Sequence, residues 1–525
     1  MGHKPIVATF LNACSFIRYD CFLILLMVLG VLLTPIGCNS RGEQDTHKPV
    51  NILFIFSDDQ RWDALGYAGN NIIQTPNLDA LAAQGTYFDN AFVTTAICCV
   101  SRASVLTGQY ARNNGVQDFF TPIELETTYP RYLKEGGYYT GFIGKWGTLE
   151  LDTGYFMKAA DLFDFWAGSM GQSNFWHERD CNFVHNNGTT EKHQFLCDCP
   201  PDARGFRGEE IRVGKANIID PVHQETYVIP RKVSSFLDQR DEDKPFCLSI
   251  SFKSPHGPWS DFDEKFSQSY ESVPMNIAGS VTEEEAMGQP EFLKVSLNGI
   301  RDIEKMRTAR ELEGPLQNSM RQYYRLINGM DQAVGDIVNE LKERGLYDNT
   351  VVVFYSDNGH FMWEHGFTGK WLMYEESLRV PGFIFDPRHP NEKSRSKEMV
   401  LNIDLAPTII DLAGLEIPSH MDGKSLLPLL DDPDLPFRDD FFYEHLYRHM
   451  EDYMHIERSE GVRTREWKYI HYINQEGPAS EELYHLTEDH LEMNDLSADS
   501  ASSVTLEGMR DLYAGYFSGN LSYRR

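Results

Sequence analysis

The sequence predicts an α/β fold, in which a large mixed, mostly parallel sheet is sandwiched by helices and followed by a small C-terminal antiparallel-sheet subdomain. Continuous apolar runs of strand length, beginning with NILFIFS at residues 51–57, are typical of strands buried on both faces. Segments with helical spacing of apolar residues separate these runs. After about residue 439 the pattern shortens to closely spaced strands, which predicts the antiparallel subdomain.

The predicted elements alternate along the chain. A helix opens at Thr75-Pro76 and runs through Gln84, because Pro suits the first helical position and Gly85 follows the last. A second helix has apolar residues at helical spacing from Tyr324 to Leu341 and ends at Gly345. The other predicted strands are 139–143, 245–251, 350–355, 382–385, 441–444, 467–472 and 482–486, and a further helix is predicted at 405–412. Two long polar stretches, roughly 149–213 and 257–315, are predicted to be loops that cover a site.

The N-terminal region differs in composition from the rest of the chain. Residues 21–33 are almost unbroken apolar and are preceded by Lys4 and Arg18, which suits an export signal better than a membrane-spanning helix. We therefore interpret residues 1–37 as a signal peptide, 48–430 as a catalytic domain and 431–525 as a C-terminal subdomain. The segment LTPIGC also looks like a bacterial lipobox, which leaves three alternatives: lipidation at Cys38, plain cleavage, or a retained anchor. The protein is expected in the periplasm or at the cell surface.

Charge and cysteine content narrow the function classes. A net charge of −30 argues against nucleic acid as a partner, since phosphate contacts need clustered Lys and Arg. It does not exclude a small anionic substrate, because a metal ion and a few basic residues can attract an anion locally. Export permits disulfides, so Cys181 could pair with Cys197 or Cys199, whereas Cys247 lies in an apolar strand and is expected in the core.

Three polar positions are expected to meet at one edge of the sheet. Asp58-Asp59 and Asp357-Asn358 each follow a predicted strand, and Cys98 is predicted at the start of a short helix that Gly108 closes. Three carboxylates and an amide oxygen form a set of ligands that suits Ca²⁺ better than Zn²⁺. Taken singly, each acidic pair could be an ordinary strand-end turn, and the two cysteines at 98 and 99 could be inert core residues.

Taken together, these segments resemble the type I sulfatase family of the alkaline phosphatase superfamily, from about residue 51 to residue 496. The family signature Cys-x-Pro/Ala-Ser-Arg is similar to CCVSR at residues 98–102. Further matching segments occur in the family order: SDDQR at 57–61, GKW at 144–146, SPH at 254–256, DNG at 357–359, the lysine Lys370, IDLAPT at 403–408 and WKY at 467–469. The resemblance implies an alkaline-phosphatase-like sheet.

The resemblance also implies roles for individual residues. Cys98 is expected to be oxidised by a formylglycine-generating maturation enzyme to formylglycine, whose hydrated aldehyde supplies the nucleophilic oxygen in a covalent mechanism. One Ca²⁺ is expected to be bound by this modified side chain together with Asp58, Asp59, Asp357 and Asn358. The basic residues expected to act with them are Arg102, which orients these groups, Lys145 and Lys370, which neutralise the sulfate oxygens, and His256, which protonates the leaving alkoxide.

The sequence departs from the family pattern at two positions. The family usually carries His two residues after the first lysine, where this chain has Gly147, so His185, His193 or His360 is a candidate replacement. Val100 stands where Pro or Ala is usual, within the segment that the maturation enzyme reads. Val100 bears on whether Cys98 is converted to formylglycine, and Gly147 bears on how well the modified residue performs catalysis.

The function predicted from these observations is hydrolysis of sulfate esters of a sulfated carbohydrate by an exported enzyme. Two alternatives remain open at this point. One is a phosphodiesterase or phosphonate monoester hydrolase of the same superfamily, although two-metal relatives usually show Asp-His-Gly where this chain has DNG. The other is a catalytically silent homologue that binds sulfated glycans. Apart from the lipid anchor, no contact with a membrane is expected.

Overall fold

The computed structural model describes residues 2, 49–148, 153–169, 171–178, 180–184, 190–194, 221–300, 302, 304–389, 394–447, 455–477 and 480–518. Val50–Arg525 form one compact unit. None of the helices within the described ranges combines the length and the apolar composition needed to cross a membrane. The lipobox cysteine Cys38, the cysteines Cys197 and Cys199 and the candidate His185 lie outside the described residues.

Nineteen strands are described. In chain order they are β1 (Asn51–Asp58), β2 (Thr86–Phe92), β3 (Tyr139–Lys145), β4 (Phe165–Ser169), β5 (Trp176–Glu178), β6 (Asp180–Val184), β7 (Thr190–Gln194), β8 (Pro221–His223), β9 (Phe246–Pro255), β10 (Thr350–Ser356), β11 (Phe361–Met362), β12 (Thr368–Gly369), β13 (Arg379–Val380), β14 (Gly382–Phe385), β15 (Ser394–Leu401), β16 (Asp440–His445), β17 (Ser459–Thr464), β18 (Trp467–Tyr472) and β19 (Glu481–His485).

Nine of these strands form the main sheet. Across the sheet the order is β13, β2, β14, β10, β1, β9, β3 and β4, with β15 also paired to β2. The five strands from β10 to β4 are parallel, whereas β14 is antiparallel to both of its neighbours. The carboxyl ends of β10, β1, β9 and β3 therefore lie side by side at one edge, where open α/β sheets place their ligands.

Helices cover both faces of this sheet. They are α1 (Pro76–Gln84), α2 (Cys98–Thr107), α3 (Ala111–Asn114), α4 (Tyr129–Glu135), α5 (Thr153–Ala160), α6 (Ile229–Gln239), α7 (Glu283–Gly288), α8 (Glu291–Lys294), α9 (Glu304–Arg307), α10 (Pro315–Glu343), α11 (Glu375–Leu378), α12 (Leu405–Leu412), α13 (Leu427–Asp431) and α14 (Ser503–Ser518). Side chains of β1 alternate between two apolar clusters, with Phe54 in the cluster that includes α2, α4 and α12, and Ile55 in the cluster that includes α1, α6 and α10. This arrangement confirms the predicted fold class.

The structure confirms most predicted elements and corrects the two long stretches. The helix at 405–412 and the strands at 382–385 and 467–472 have the predicted bounds, while α10 begins at Pro315, nine residues before the predicted Tyr324. The stretch 149–213 is more than a loop, because it contains α5, the sheet strand β4 and the hairpin β6–β7. The stretch 257–315 likewise contains α7, α8 and α9.

The C-terminal part forms a four-stranded antiparallel sheet in the order β16, β17, β18, β19. This sheet is tied to the main body by buried polar contacts. Tyr443 Oη donates to the carbonyl oxygen of Trp371 at 2.5 Å, and buried Lys468 pairs with Glu375 and Glu492 at 3.0 and 2.5 Å. The loop that follows β12 is therefore held from the C-terminal side.

Two further buried ion pairs lie near this boundary. Arg438 forms a bidentate pair with Asp404, with both guanidinium-to-carboxylate distances at 2.8 Å. His365 is fully buried next to Glu285 and Glu376, with nitrogen-to-oxygen distances of 3.5 and 3.8 Å. Burial would lower the pKa of His365, but the hydrogen bond to Glu285 and the negative charge of Glu376 raise it to about 10.

Candidate active site

The candidate site lies at the carboxyl edge of four neighbouring strands. Asp58 ends β1, Asp357 follows β10, His256 follows β9 and Lys145 ends β3. All except His256 are completely buried, and His256 is partly exposed. Residues that are far apart in sequence meet here because the parallel strands end at a common edge.

The acidic residues are held by specific backbone contacts. Asp59 has a left-handed backbone (φ 65°), which is unfavourable for a residue with a side chain. Its N–H donates to Asp357 Oδ1 at 3.0 Å, and Tyr323 Oη donates to its carbonyl oxygen at 2.7 Å. Asn358 Nδ2 donates to Asp59 Oδ1 at 2.6 Å. These bonds stabilise the unusual conformation and keep the two acidic segments together.

Three cationic side chains pair with the carboxylates. Arg102 Nη2 lies 2.8 Å from Asp357 Oδ2 and 3.5 Å from Asp58 Oδ2, so it bridges the two strands. Lys145 Nζ lies 2.6 Å from Asp58 Oδ2, and Lys370 Nζ pairs with Asp59 Oδ1. Arg102 Nη1 also donates to the carbonyl oxygen of Lys145 at 3.0 Å. The arrangement is a compact network of alternating charge.

Cys98 is the first residue of α2 and is buried. The preceding Ile97 offers no side-chain cap, so the helix start presents backbone N–H groups and a partial positive charge. Gly108 ends the helix in a left-handed conformation (φ 66°), as the sequence predicted. Burial disfavours the charged forms of Arg102 and Lys370, but neighbouring carboxylates raise the pKa of both. The thiol of Cys98 adds to both shifts, so it lies near these two basic groups.

The polar atoms of the site fit a cation. Burial and repulsion from Asp58 raise the pKa of Asp357 to about 7, although Arg102 opposes this. Burial also disfavours ionised Asp58, but Lys145, His256 and Arg102 hold its pKa well below the usual range. Two buried oxygens, Asp58 Oδ1 and Asn358 Oδ1, have no hydrogen-bond partner within the described part of the chain. Orphaned buried oxygens beside carboxylates are the donor set of a hard metal ion.

Histidine occupies the open side of this network. His256 Nε2 lies 3.7 Å from Asp59 Oδ2 and 3.3 Å from Gln172 Nε2, and ligand atoms of Asp58, Asp59 and His256 lie within 4.8 Å of one another. Burial lowers the pKa of His256, although Asp59 opposes this. A histidine was not in the metal set predicted from sequence, so the geometry adds His256 as an alternative ligand.

Three histidines are candidate replacements for the missing histidine, and the structure describes their positions to different extents. His360 is close enough to Asp59 and Lys370 for their charges to affect it, and burial lowers its pKa to about 4. His193 lies on β7, where only its strand position is described, and His185 lies outside the described residues. His360 is therefore the one that the structure brings to the site.

A side chain at Gly147 would be strained and would lie too close to its neighbours. Its φ is +74°, and a Cβ atom built there would lie 2.5 Å from Arg102 Cδ and 3.3 Å from Lys145 Cε. The backbone thus passes directly against two residues of the site. Val100 is buried in a small apolar cluster with Ile97 and Tyr447.

Sequence reasoning missed three residues around the site. Ser251 Oγ accepts from Arg102 Nη1 at 2.5 Å, Tyr323 supports Asp59 from α10, and Lys253 is buried on the last part of β9. The predicted strand stopped at Ser251, but β9 continues to Pro255. The sequence signal that could have identified Lys253 is its place at the end of a mostly apolar run, directly before SPH at 254–256.

Two family models match this chain. The family model Sulfatase matches residues 50–415, and the model N-sulphoglucosamine sulphohydrolase, C-terminal, matches residues 363–513. The chain is 29% identical over 540 residues to the N-acetylglucosamine-6-O-sulfatase of Bacteroides thetaiotaomicron, covering 92% of this chain and 89% of that protein.

Two solved structures share the fold. A protein in complex with its substrate D-glucosamine-2-N,6-O-disulfate matches with a TM-score of 0.70 and 25% identity, covering 91% of this chain and 100% of that one. The phosphonate monoester hydrolase of Agrobacterium radiobacter matches with a TM-score of 0.67 and 22% identity over 90% and 96% of the two chains, a likeness of fold alone. With the family model spanning most of the chain, this protein belongs to the sulfatase family of the alkaline phosphatase superfamily.

Proposed function

We propose that this protein hydrolyses sulfate esters of a sulfated carbohydrate, using one Ca²⁺ and a formylglycine formed from Cys98. The observation that carries the proposal is the convergence of Cys98, Lys145, Lys370 and His256 on a carboxylate cluster with unpaired oxygens. The carbohydrate is inferred from the relatives, since the similar proteins include an N-acetylglucosamine-6-O-sulfatase and a protein whose substrate is a glucosamine disulfate.

The metal and the modified cysteine supply the chemistry that the chain lacks. When present, Ca²⁺ polarises the sulfate oxygens and formylglycine provides the nucleophilic oxygen. Asp58, Asp59, Asp357 and Asn358 are the proposed metal ligands, and the two orphaned oxygens support the first and last of them. Arg102 fixes the distance between the two acidic strand ends through its contacts with both.

The remaining residues act on the substrate. Lys145 and Lys370 are positioned to bind sulfate oxygens, which gain negative charge as the ester bond breaks. His256 stands on the partly exposed side, where it can hold a proton for the leaving alkoxide oxygen. Gln172, which contacts His256 at 3.3 Å, limits the orientations of that ring. Burial of the network excludes water and strengthens each of these interactions.

The first test combines mass spectrometry with two variants. The peptide that contains Cys98 and Cys99 is expected to carry an aldehyde at position 98 only. Cys98→Ala and removal of calcium by a chelator should each abolish hydrolysis of 4-nitrophenyl sulfate, whereas the neighbouring Cys99→Ala is the matched control and should remain active. Undiminished activity of Cys98→Ala would refute the formylglycine mechanism.

The second test addresses the substrate. Desulfation of defined mono- and oligosaccharides carrying 6-O-, 2-O- or N-sulfate should show a preference for one sulfated carbohydrate over the aryl sulfate. A protein that hydrolyses the aryl ester and none of the sugars would refute the carbohydrate part of the proposal and leave the sulfatase activity standing.

The phosphodiesterase or phosphonate monoester hydrolase activity that the sequence left open is the second candidate. The two activities are distinguished by kcat/KM for 4-nitrophenyl sulfate and for a phosphate diester and a phosphonate monoester, measured on one preparation. A higher value for the phosphorus esters would favour the second candidate. Binding of a sulfated glycan with no turnover of any ester would favour the silent homologue.

Export to the periplasm or cell surface, with or without a lipid at Cys38, is also part of the proposal. Its support is the basic and apolar pattern of residues 1–37. Fractionation of cells that express the full chain tests it. Lipidation would be supported if the wild-type protein is found in the membrane fraction and Cys38→Ala is not. Recovery of the uncleaved chain in the cytoplasm would refute export.

A further inference from the structure

Lys253 lies on β9, between the two strands that carry Asp58 and Lys145. In the strand register Ser251 is opposite Gly144 of β3, and Pro255 is opposite Asp58 of β1. Lys253 is therefore at the same carboxyl edge of the sheet as the candidate active site. It is only 5% exposed, so its ammonium group has been removed almost completely from water.

Lys253 differs from the other buried lysines of the site region. Lys145, Lys370 and Lys468 each pair with at least one carboxylate. Among the residues that the structure describes, no carboxylate forms an ion pair with Lys253. The ammonium instead lies over the ring of Phe175, 4.2 Å from the ring centroid. Such a contact is weaker than a buried ion pair, so a large part of the desolvation cost remains uncompensated.

The backbone around Lys253 is fixed by a buried carboxylate. Glu225 accepts from the N–H of Lys253 and from the N–H of Ser254, the latter at 3.1 and 3.0 Å from its two oxygens. Glu225 belongs to the π-helix Gln224–Val228, whose first residue is bonded through its N–H to the carbonyl oxygen of Phe175. The π-helix therefore holds in place both the backbone of Lys253 and the Phe175 ring beneath the lysine ammonium.

The charges around Lys253 leave room for an anion. The carboxylates of Asp58, Asp59 and Asp357 are already matched by Arg102, Lys145 and Lys370. Burial lowers the pKa of Lys253 to about 8, and the positive charge of Lys145 adds to this effect. The carboxylates of Glu225 and Asp58 oppose it only in part. A bound anion would favour the charged form of this group.

We propose that the ammonium of Lys253 binds the anionic group of the substrate, as a third lysine beside Lys145 and Lys370. This inference rests on the proposed function, because the anion in question is the sulfate ester. Lys253 is then a substrate-binding residue whose ammonium gains a directly paired anion when the ester or the product sulfate is bound. Phe175 and Glu225 act through it as positioning residues.

The experiment measures the affinity for inorganic sulfate by calorimetry and the KM for 4-nitrophenyl sulfate, on matured protein with calcium. Lys253→Met removes the charge and keeps the length of the side chain. Loss of one charge-assisted contact should weaken sulfate binding and raise KM by about 10- to 100-fold. Lys265→Met is the matched control, because Lys265 also lies over an aromatic ring, that of Tyr227 at 4.4 Å, outside the site.

The outcomes separate this inference from the proposed function. A sulfate affinity of Lys253→Met within about twofold of wild type, with the fold retained, overturns the role of Lys253. If Lys253→Met does not fold, Lys253→Gln, whose amide tolerates residual water, is measured in its place against the same threshold. Wild-type protein that hydrolyses no sulfate ester refutes the proposed function, whereas the ratio of sulfate affinities still tests Lys253.

Discussion

Replacement of Gly147 by alanine tests how tightly the candidate site is packed. The substitution adds one Cβ atom, which would lie 2.5 Å from Arg102 Cδ and 3.0 Å from Arg102 Nε. It also places a side chain on a backbone with a φ of +74°. The left-handed conformation costs about 1–2 kcal/mol, and overpacking costs about 1–3 kcal/mol. The free energy of unfolding should therefore fall by about 2–5 kcal/mol.

The same change should reduce activity. Arg102 is the residue that must move, and its displacement disturbs its contacts with Asp58 and Asp357. A misplacement of about 1 Å in a catalytic site can cost about 100-fold in rate. We expect kcat/KM for 4-nitrophenyl sulfate to fall by about this factor, while urea unfolding gives the stability change.

Gly414→Ala is the matched control for the backbone contribution. Gly414 has a φ of +70°, and no atom lies within 4 Å of a Cβ built there. This variant should lose only about 1–2 kcal/mol and keep full activity. The reasoning is refuted if Gly147→Ala is no less stable than Gly414→Ala and retains its kcat/KM, because the close contact with Arg102 would then have no energetic consequence.

Three further predictions concern stability. Arg438→Met leaves the carboxylate of Asp404 buried and unpaired, so the free energy of unfolding in urea should fall by about 3–5 kcal/mol. The control Arg465→Met, which removes an arginine that is 42% exposed in its ion pair, should lower it by about 1 kcal/mol or less, and equal losses would contradict this prediction. Because the pKa of His365 rises from 6.5 to about 10 on folding, its charged form stabilises the protein fully below pH 6.5, and this contribution is lost as the pH rises toward 10. The difference in unfolding free energy between wild type and His365→Gln should therefore shrink over that range, and a constant difference would argue against a charged imidazole. Calcium at about 100 times its Kd should add about 2.7 kcal/mol to the stability of chelator-treated protein, measured by thermal unfolding, whereas magnesium at the same concentration should add less.

Strand ends and helix starts were predictable because local sequence determines them. Asp58 and Asp357 directly follow buried apolar runs, and Cys98 precedes a short helix that ends at a glycine, so each could be placed without tertiary information. Lys145 and Lys370 followed instead from the resemblance, because nothing in their own local pattern shows that they face the same carboxylates.

Two strands that were missed, β15 and β17, contain polar residues that are held by distant partners. Strand β17 contains Glu460 and Arg463, which are buried through ion pairs with Arg112 and Glu375, so its apolar alternation is hidden. Strand β15 lies beside β2, and its buried Glu398 pairs with Arg465 at 2.6 Å. In both cases the compensating contact is made by a residue far away in sequence, which a local pattern cannot reveal.

The contact between Tyr443 and Trp371 bears on how this protein can be recombined with its relatives. Trp371 directly follows Lys370, and its carbonyl oxygen accepts a hydrogen bond from the C-terminal sheet. A chimera that takes its C-terminal sheet from another member of the family would have to conserve this hydroxyl, or import the lysine loop along with the sheet. The useful crossover point for such chimeras therefore lies before Lys370, and not at the start of the C-terminal sheet.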